Sequence, residues 1–490
     1  MNLKTTNQLL SVEHEKRVFV GSWVTPKGGA VTVTDKASGE PIFESGLANA
    51  ADVAASAEAA RDAQAAWARR PATSRADVLR KFAQLLETHA AEVSRWIVRE
   101  SGSIPPKGDF EIGLTIREAL EVASLAGAPV GHILSTTGDK RSFAQRVPIG
   151  VVGVITPWNS PFILAARAML PALVLGNAVI LKPDVQTPVS GGHLIARLFE
   201  EAGLPAGVLH VLPGAADTGE ALVRHPAVGM ISFTGSTAVG RRVGEIAGGM
   251  LKRVALELGG NNALIVMADA DIERAVSAAA FGSFFHQGQI CFTAGRHLVH
   301  ESIAAEYTKQ LATRAAALAV GDPNKAQVHL GPMINARQVQ RAQKILDDSV
   351  ALGAKPQGPI SVDGLYFKPV VLSGVTPDMP AFNEEIFAPV APVTVFRTEE
   401  EAIALANRSE YGLVASIFTR NEGTGLRMAR QMRTGIVHIN DQTVNHEVFG
   451  PIGGMGASGN GARSGNLTSL DEYTQWQWVT VADEVPGYPF

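Results

Sequence analysis

A chain of 490 residues with 46% apolar and 18% charged side chains is too long for one hydrophobic core, so two or three domains are expected. Its net charge of −4 argues against a polyanion-binding surface, and nucleic acid is not an expected partner. The first residues lack the apolar stretch of a secretory signal, and the most hydrophobic segment, 161–181, is broken by Arg167, Pro171, Gly176 and Asn177. These features, with a single cysteine, predict a cytoplasmic protein with no membrane span.

Residues 17–48 read as β-rich, with alternating segments at 17–20 and 30–33 among glycine and proline turns. Segments 51–70 and 74–100 carry apolar residues at helical spacing. In the second, Ser74 is a candidate N-cap and Gly102 a candidate stop. Neither holds a polar constellation suggestive of chemistry. A mixed stretch over 128–147 reads as a ribbon leaving the main body.

Regular strand–helix alternation follows. Strands are predicted at 150–155, 177–181, 208–212 and 228–233, with helices from about 162 and through 194–202. Apolar strands that do not alternate, separated by helices, predict a parallel sheet covered on both faces, which binds ligands at its carboxyl strand ends. Those ends read Thr156-Pro157-Trp158-Asn159, Lys182-Pro183-Asp184, Pro213-Gly214 and Thr234-Gly235-Ser236-Thr237. The last opens a helix and is either a phosphate site or an ordinary glycine turn, since it matches neither a Walker loop nor G-x-G-x-x-G. Glu257 closes another short strand and is either a turn cap or a free carboxylate.

A second α/β unit runs from 263 to about 435, with a strand at 263–266, helices near 271–285, 302–319 and 335–352, and strands at 392–397 and 413–419. Residues 476–481 form a short amphipathic strand that would be an exposed edge if left alone. Within this half lies Cys291, the only cysteine. It can make no internal disulfide, so it is either a packed or a reactive thiol, and the flanking Gly288-Gln289 and Thr293-Ala294-Gly295 favour reactivity.

Trp158-Asn159, Lys182, Gly235-Ser236, Glu257-Leu258-Gly259-Gly260, Gly288-Gln289-Ile290-Cys291 and Glu384-Glu385-Ile386-Phe387-Ala388-Pro389 together resemble the aldehyde dehydrogenase superfamily, in order and spacing, over nearly the whole chain. The resemblance implies two open parallel-sheet domains plus a small β oligomerisation element. A Rossmann-like NAD(P)-binding domain would comprise 1–127 and 150–257, and a catalytic domain 258–440. An oligomerisation element would comprise 128–149 and 470–490, and a return segment, 441–469, would close the cleft. It further implies that Cys291 attacks the aldehyde carbon, that Asn159 and the Cys291 backbone N–H hold the oxyanion, and that Glu257 activates the water that hydrolyses the thioester. For NAD or NADP it implies Lys182 at the adenosine ribose and Gly235 and Ser236 at the pyrophosphate. Glu385 would meet the nicotinamide ribose and Phe387 the nicotinamide, with Ile155, Thr156, Trp158, Gly214 and Leu258 lining the same cleft. No metal is implied.

Three positions depart from the family's pattern. Val185 stands where strictly NAD-dependent members often carry a glutamate, which leaves NADP use open. Ala388 replaces a glycine, and Ser464 follows Arg463 where some members have a glutamate. Segments 440–446, 453–461 and 476–478 look like the benzaldehyde, vanillin and salicylaldehyde dehydrogenases. An aromatic aldehyde is therefore the expected substrate, with Arg167, Phe285 and Phe292 as candidate contacts. A homodimer or homotetramer is the expected assembly. Rival readings are a CoA-acylating or aliphatic/semialdehyde member of the superfamily, a cofactor-free thiol hydrolase, and a non-catalytic binding protein on the same fold.

Overall fold

The computed structural model describes residues 8–136, 139–465 and 467–490. Its first seven-stranded sheet runs, in spatial order, Arg253–Glu257, Val228–Thr234, Val151–Ile155, Ala178–Lys182 and Leu209–Val211, all parallel, then the antiparallel edge pair Val18–Phe19 and Trp23–Val24. All five residues of Ala178–Lys182 are buried, as a strand covered on both faces requires. One face packs on helices Ala50–Ala68, Ala216–Arg224 and Thr237–Gly249 through Val53, Leu222 and Ile246. The other packs on Pro161–Val174, Leu194–Glu201 and Ala72–Thr88 through Leu170, Leu198 and Phe82.

A second seven-stranded sheet takes the order Lys355–Pro356, Val370–Ser373, Val390–Phe396, Arg296–His300, Ala263–Val266, Val414–Phe418, Ile436–Ile439, parallel except at its first pair. Helices Ile272–Phe284 and Glu301–Ala316 cover one face and Ala336–Ala351 part of the other. A third, antiparallel sheet joins Thr474–Ala482 to Lys140–Pro148 and Gly131–Ile133. Glu257 ends the first sheet's edge strand, and Cys291 lies on the loop ahead of Arg296–His300 in the second. The cleft between the sheets is thus where the two meet.

The segment expected as one helix over 74–100 is two, Ala72–Thr88 and Ala90–Ser101, breaking at His89. Ser74 lies inside the first, whose N-cap is Pro71, while Gly102 ends the second at φ 71 as expected. The helix Pro105–Ser124 has no counterpart in the sequence reading. Its buried face carries Lys107, Glu111 and Glu118 among Ile112, Leu114 and Val122, which breaks the apolar periodicity by which helices are read. Among the described residues no helix is long and apolar enough to cross a membrane, and no His/Cys/Asp/Glu cluster could hold a metal.

Candidate active site

Helix Ile272–Phe284 ends in a tight turn where His286 and Gln287 take left-handed backbone conformations (φ 50 and 55), followed by Gly288 at φ 67. Two consecutive non-glycine residues in that region are costly and persist only where surrounding contacts over-determine them. Here the Gln287 amide donates to the carbonyls of Gly102 (2.7 Å) and Pro332 (2.6 Å), and Gln289 accepts from the Ile334 N–H at 3.1 Å. Asn262 donates to the carbonyls of Cys291 (2.8 Å) and Thr293 (2.7 Å). The turn is bolted on both sides, and it presents Cys291, a half-buried residue.

Asn159, at the end of strand Val151–Ile155, is 4% exposed and donates from its side-chain amide to the Gln289 carbonyl at 2.8 Å. Glu257 is fixed through its backbone. It bridges Gly459, and the Leu258 N–H donates to the Ser458 carbonyl at 2.9 Å, so the return segment clamps the glutamate's strand end. One cavity of about 150 Å³ brings together Trp158, Asn159, Gly235, Ser236, Glu257, Leu258, Cys291, Glu385 and Phe387, all singled out in the sequence. It also includes Gln338 and Arg341, which the sequence reading missed. They lie three residues apart on one face of Ala336–Ala351, a pattern that reads as an ordinary solvated helix. Arg341 lies 3.7 Å from Glu384 and its charge opposes protonation of Glu385.

Burial pushes the Cys291 thiol up to about 12. Arg167 opposes that shift, and Glu385 and Glu257 add to it. Burial likewise raises Glu257 to about 7, against the opposing charges of Arg167 and Arg463. The site therefore rests with a protonated thiol beside a carboxyl poised to exchange a proton near neutral pH. His286, beside Lys107 and the Asn159 backbone, is lowered well below its ordinary range by burial first and by the Lys107 charge second. It is a poor base for the thiol.

The three candidate substrate residues fare differently. Arg167 is 6% exposed within helix Pro161–Val174, and its charge reaches Cys291, Glu257, Glu118 and His446. Phe285 stacks on Phe281 at 4.7 Å, meets Phe110 edge-on at 6.2 Å and packs against the same apolar cluster as Cys291. Phe292 is 6% exposed in a cluster with Leu413, Val444 and Ile452, against which Cys291 itself packs, so its ring lies beside the thiol loop.

Farther along the strand ends, Ile155 and Lys182 are register partners, with Gly214 on the next connection. Lys182 is buried, and its ammonium donates to the Pro183 carbonyl at 3.3 Å. The buried Thr156 hydroxyl has no partner. Ser236 sits at the N-cap of Thr237–Gly249 without a capping side-chain bond, which leaves first-turn N–H groups for an anion. A Cβ on Gly235 would come within 2.6 Å of the Phe233 ring, and one on Gly214 within 2.4 Å of the Thr218 hydroxyl, so neither position admits a side chain. Trp158 and Phe387 meet edge to face at 5.6 Å. An unpartnered hydroxyl, a buried ammonium and an uncapped helix terminus along adjacent strand ends fit a dinucleotide.

The model of the aldehyde dehydrogenase family matches residues 23–479. The chain is 51% identical over 475 residues to the benzaldehyde dehydrogenase [NAD(+)] of Pseudomonas putida, covering 97% of this chain and 98% of that one. It is equally identical, with the same coverage, to the vanillin dehydrogenase of an Amycolatopsis strain. Among solved structures it resembles an aldehyde dehydrogenase of Brucella melitensis biovar abortus, with a TM-score of 0.94, 32% identity and coverage of 99% and 100%. It also resembles the betaine aldehyde dehydrogenase of Staphylococcus aureus in complex with NAD+, with a TM-score of 0.92, 30% identity and coverage of 96% and 94%. Fold, site geometry and sequence agree: this chain belongs to the aldehyde dehydrogenase family and is an NAD(P)-dependent aldehyde dehydrogenase.

Proposed function

We propose that this enzyme oxidises an aromatic aldehyde of the benzaldehyde or vanillin type to its carboxylic acid through a thioester on Cys291. The observation that carries the mechanism is the convergence of Cys291, Asn159 and Glu257 on one cavity from two different sheets. Cys291 Sγ attacks the carbonyl carbon as its proton passes to Glu257, whose raised affinity suits it to receive one. The Asn159 amide spends one N–H on the Gln289 carbonyl and keeps the other for the developing oxyanion, beside the Cys291 backbone N–H. The nicotinamide, when bound, supplies the two-electron acceptor for the hydrogen on the aldehyde carbon. Once that first proton has passed on to solvent, the Glu257 carboxylate takes a proton from water, which attacks the thioester, and the carboxylic acid leaves as the Cys291 sulfur regains a proton from Glu257.

Support for the aromatic substrate comes from the two 51% identical relatives named for benzaldehyde and vanillin. Arg167 acts electrostatically in this reading: it is a buried cation that opposes protonation of both the nucleophile and the base. Comparing kcat/KM for benzaldehyde-type and short aliphatic aldehydes, with and without CoA, tests the reading. A clear aliphatic preference rejects the substrate class, and CoA-dependent turnover rejects hydrolysis by Glu257.

The chain further assembles as a homodimer or homotetramer through its third sheet. There Trp478, on the nine-residue antiparallel pairing, and Ile133, on the neighbouring edge strand, are 70% and 94% exposed, an apolar surface costly to leave in water. A monomeric mass in solution scattering would defeat this part of the reading.

A further inference from the structure

Two buried charges on the Pro105–Ser124 helix grip the segment that carries Asn159. Lys107, 1% exposed, donates to the Asn159 backbone carbonyl at 2.7 Å and pairs with Glu111, also 1% exposed and one turn along the same helix. The second oxygen of Glu111 accepts the N–H groups of Phe162 (3.1 Å) and Ile163 (3.2 Å). Those N–H groups belong to the first turn of Pro161–Val174, whose own N-cap residue, Ser160, makes no capping side-chain bond. A carboxylate from a neighbouring helix therefore does the capping, and its partner ammonium holds the peptide two residues upstream. Burying two ions is expensive, and an apolar pair of similar volume is often as stable, so stability alone is a weak reason for this arrangement.

We propose that Lys107 and Glu111 are positioning residues that fix the Asn159 peptide so that its side-chain amide points at the oxyanion. The proposal rests on the reading of Asn159 as the oxyanion donor. The geometry gives each charge a separate task. Glu111 fixes the helix start that follows Asn159, and Lys107 fixes the carbonyl of Asn159 itself, leaving the side-chain amide one bond to Gln289 and one free N–H. Displacement of such a group by about 1 Å can cost roughly 100-fold in rate.

The test is a cycle between the neutral pair Lys107→Met/Glu111→Gln and Asn159→Ala. The neutral pair keeps the volume and an acceptor for Phe162 and Ile163 but removes the donor to Asn159. Single-turnover formation of reduced cofactor from benzaldehyde should fall by roughly 10- to 100-fold in the neutral pair. KM for the cofactor and the rate of Cys291 alkylation by iodoacetamide should stay unchanged. In the Asn159→Ala background the same two changes should cost nothing further, and Lys107→Arg, which keeps a donor, should recover most of the loss seen in Lys107→Met. An equal loss in both backgrounds, or no loss in the neutral pair, would overturn the proposal. A full rate in Asn159→Ala alone would instead overturn the reading of Asn159.

Discussion

The side-chain amide of Asn159 donates to the main-chain carbonyl of Gln289 at 2.8 Å, a single bond that ties the first sheet's strand end to the loop bearing Cys291. In the proposed mechanism Asn159 both holds the two halves of the site in register and keeps one N–H for the substrate oxygen. Replacing it by alanine should lower kcat/KM for an aldehyde by about 100- to 1000-fold, the scale for loss of one oxyanion donor. The deficit should appear in the first turnover, measured by stopped-flow formation of reduced cofactor. An unchanged first turnover would contradict the role.

The pH dependence follows from Glu257. Burial raises its carboxyl to about 7, and only the deprotonated form accepts a proton, so kcat should fall as pH drops through about 7 rather than through the ordinary carboxylate range. Arg167 works against that shift, and Arg167→Met should move the acid limb to higher pH. The same variant should slow alkylation of the Cys291 thiol at neutral pH, because the cation opposing its protonation is gone. Glu385 is raised to about 7 as well, so the limb must also be measured in Glu385→Gln, where it should persist.

Cofactor preference should favour NAD. Val185 itself repels nothing, but the negative charges of Asp184 and Asp217 both act at Lys182 and oppose a 2′-phosphate there. Replacing both aspartates by asparagine should raise kcat/KM for NADP relative to NAD by about 10-fold, the effect of about 1.4 kcal/mol. Steady-state kinetics with both cofactors measure the ratio, and a ratio unmoved in the variant would show that these carboxylates do not set it.

Gly288 tests how tightly the cysteine loop is specified. Its φ of 67 is one that L side chains rarely adopt, and a Cβ there would lie 2.3 Å from the Ala388 carbonyl. Gly288→Ala should cost about 1–2 kcal/mol from the backbone conformation alone. The collision displaces either the thiol loop or the Phe387 turn, so kcat should fall by about 10-fold or more, on the scale of a misplaced reacting group. Denaturant unfolding with parallel kinetics separates the two effects.

Much of the site was legible because its residues sit at strand ends, where order along the chain maps directly onto position in the cleft. Cys291, Glu257, Glu385 and Phe387 share one cavity although 128 positions separate Glu257 from Glu385 and Phe387 follows two later. What stayed hidden had no periodic signature. Lys107 and Glu111 lie on a helix whose buried face is polar, so the apolar spacing that marks helices was absent there. Gln338 and Arg341 lie on a helix that looks solvated, and only the approach of the two sheets turns that face toward the thiol. Adjacency to Cys291 in sequence says nothing about which side of the loop a ring occupies; Phe292 is buried in the cluster on which Cys291 itself packs.

The acyl-enzyme itself is the most direct measurement of the central claim. Glu257→Gln should form the thioester slowly, for want of the thiol's proton acceptor, and fail to hydrolyse it. Incubating this variant with benzaldehyde and NAD, quenching in acid and taking the intact mass should show one benzoyl group, located by peptide mapping on Cys291 and absent from Cys291→Ala. Stoichiometric formation of reduced cofactor with no adduct on Cys291, or an undiminished rate in Cys291→Ala, would contradict the account.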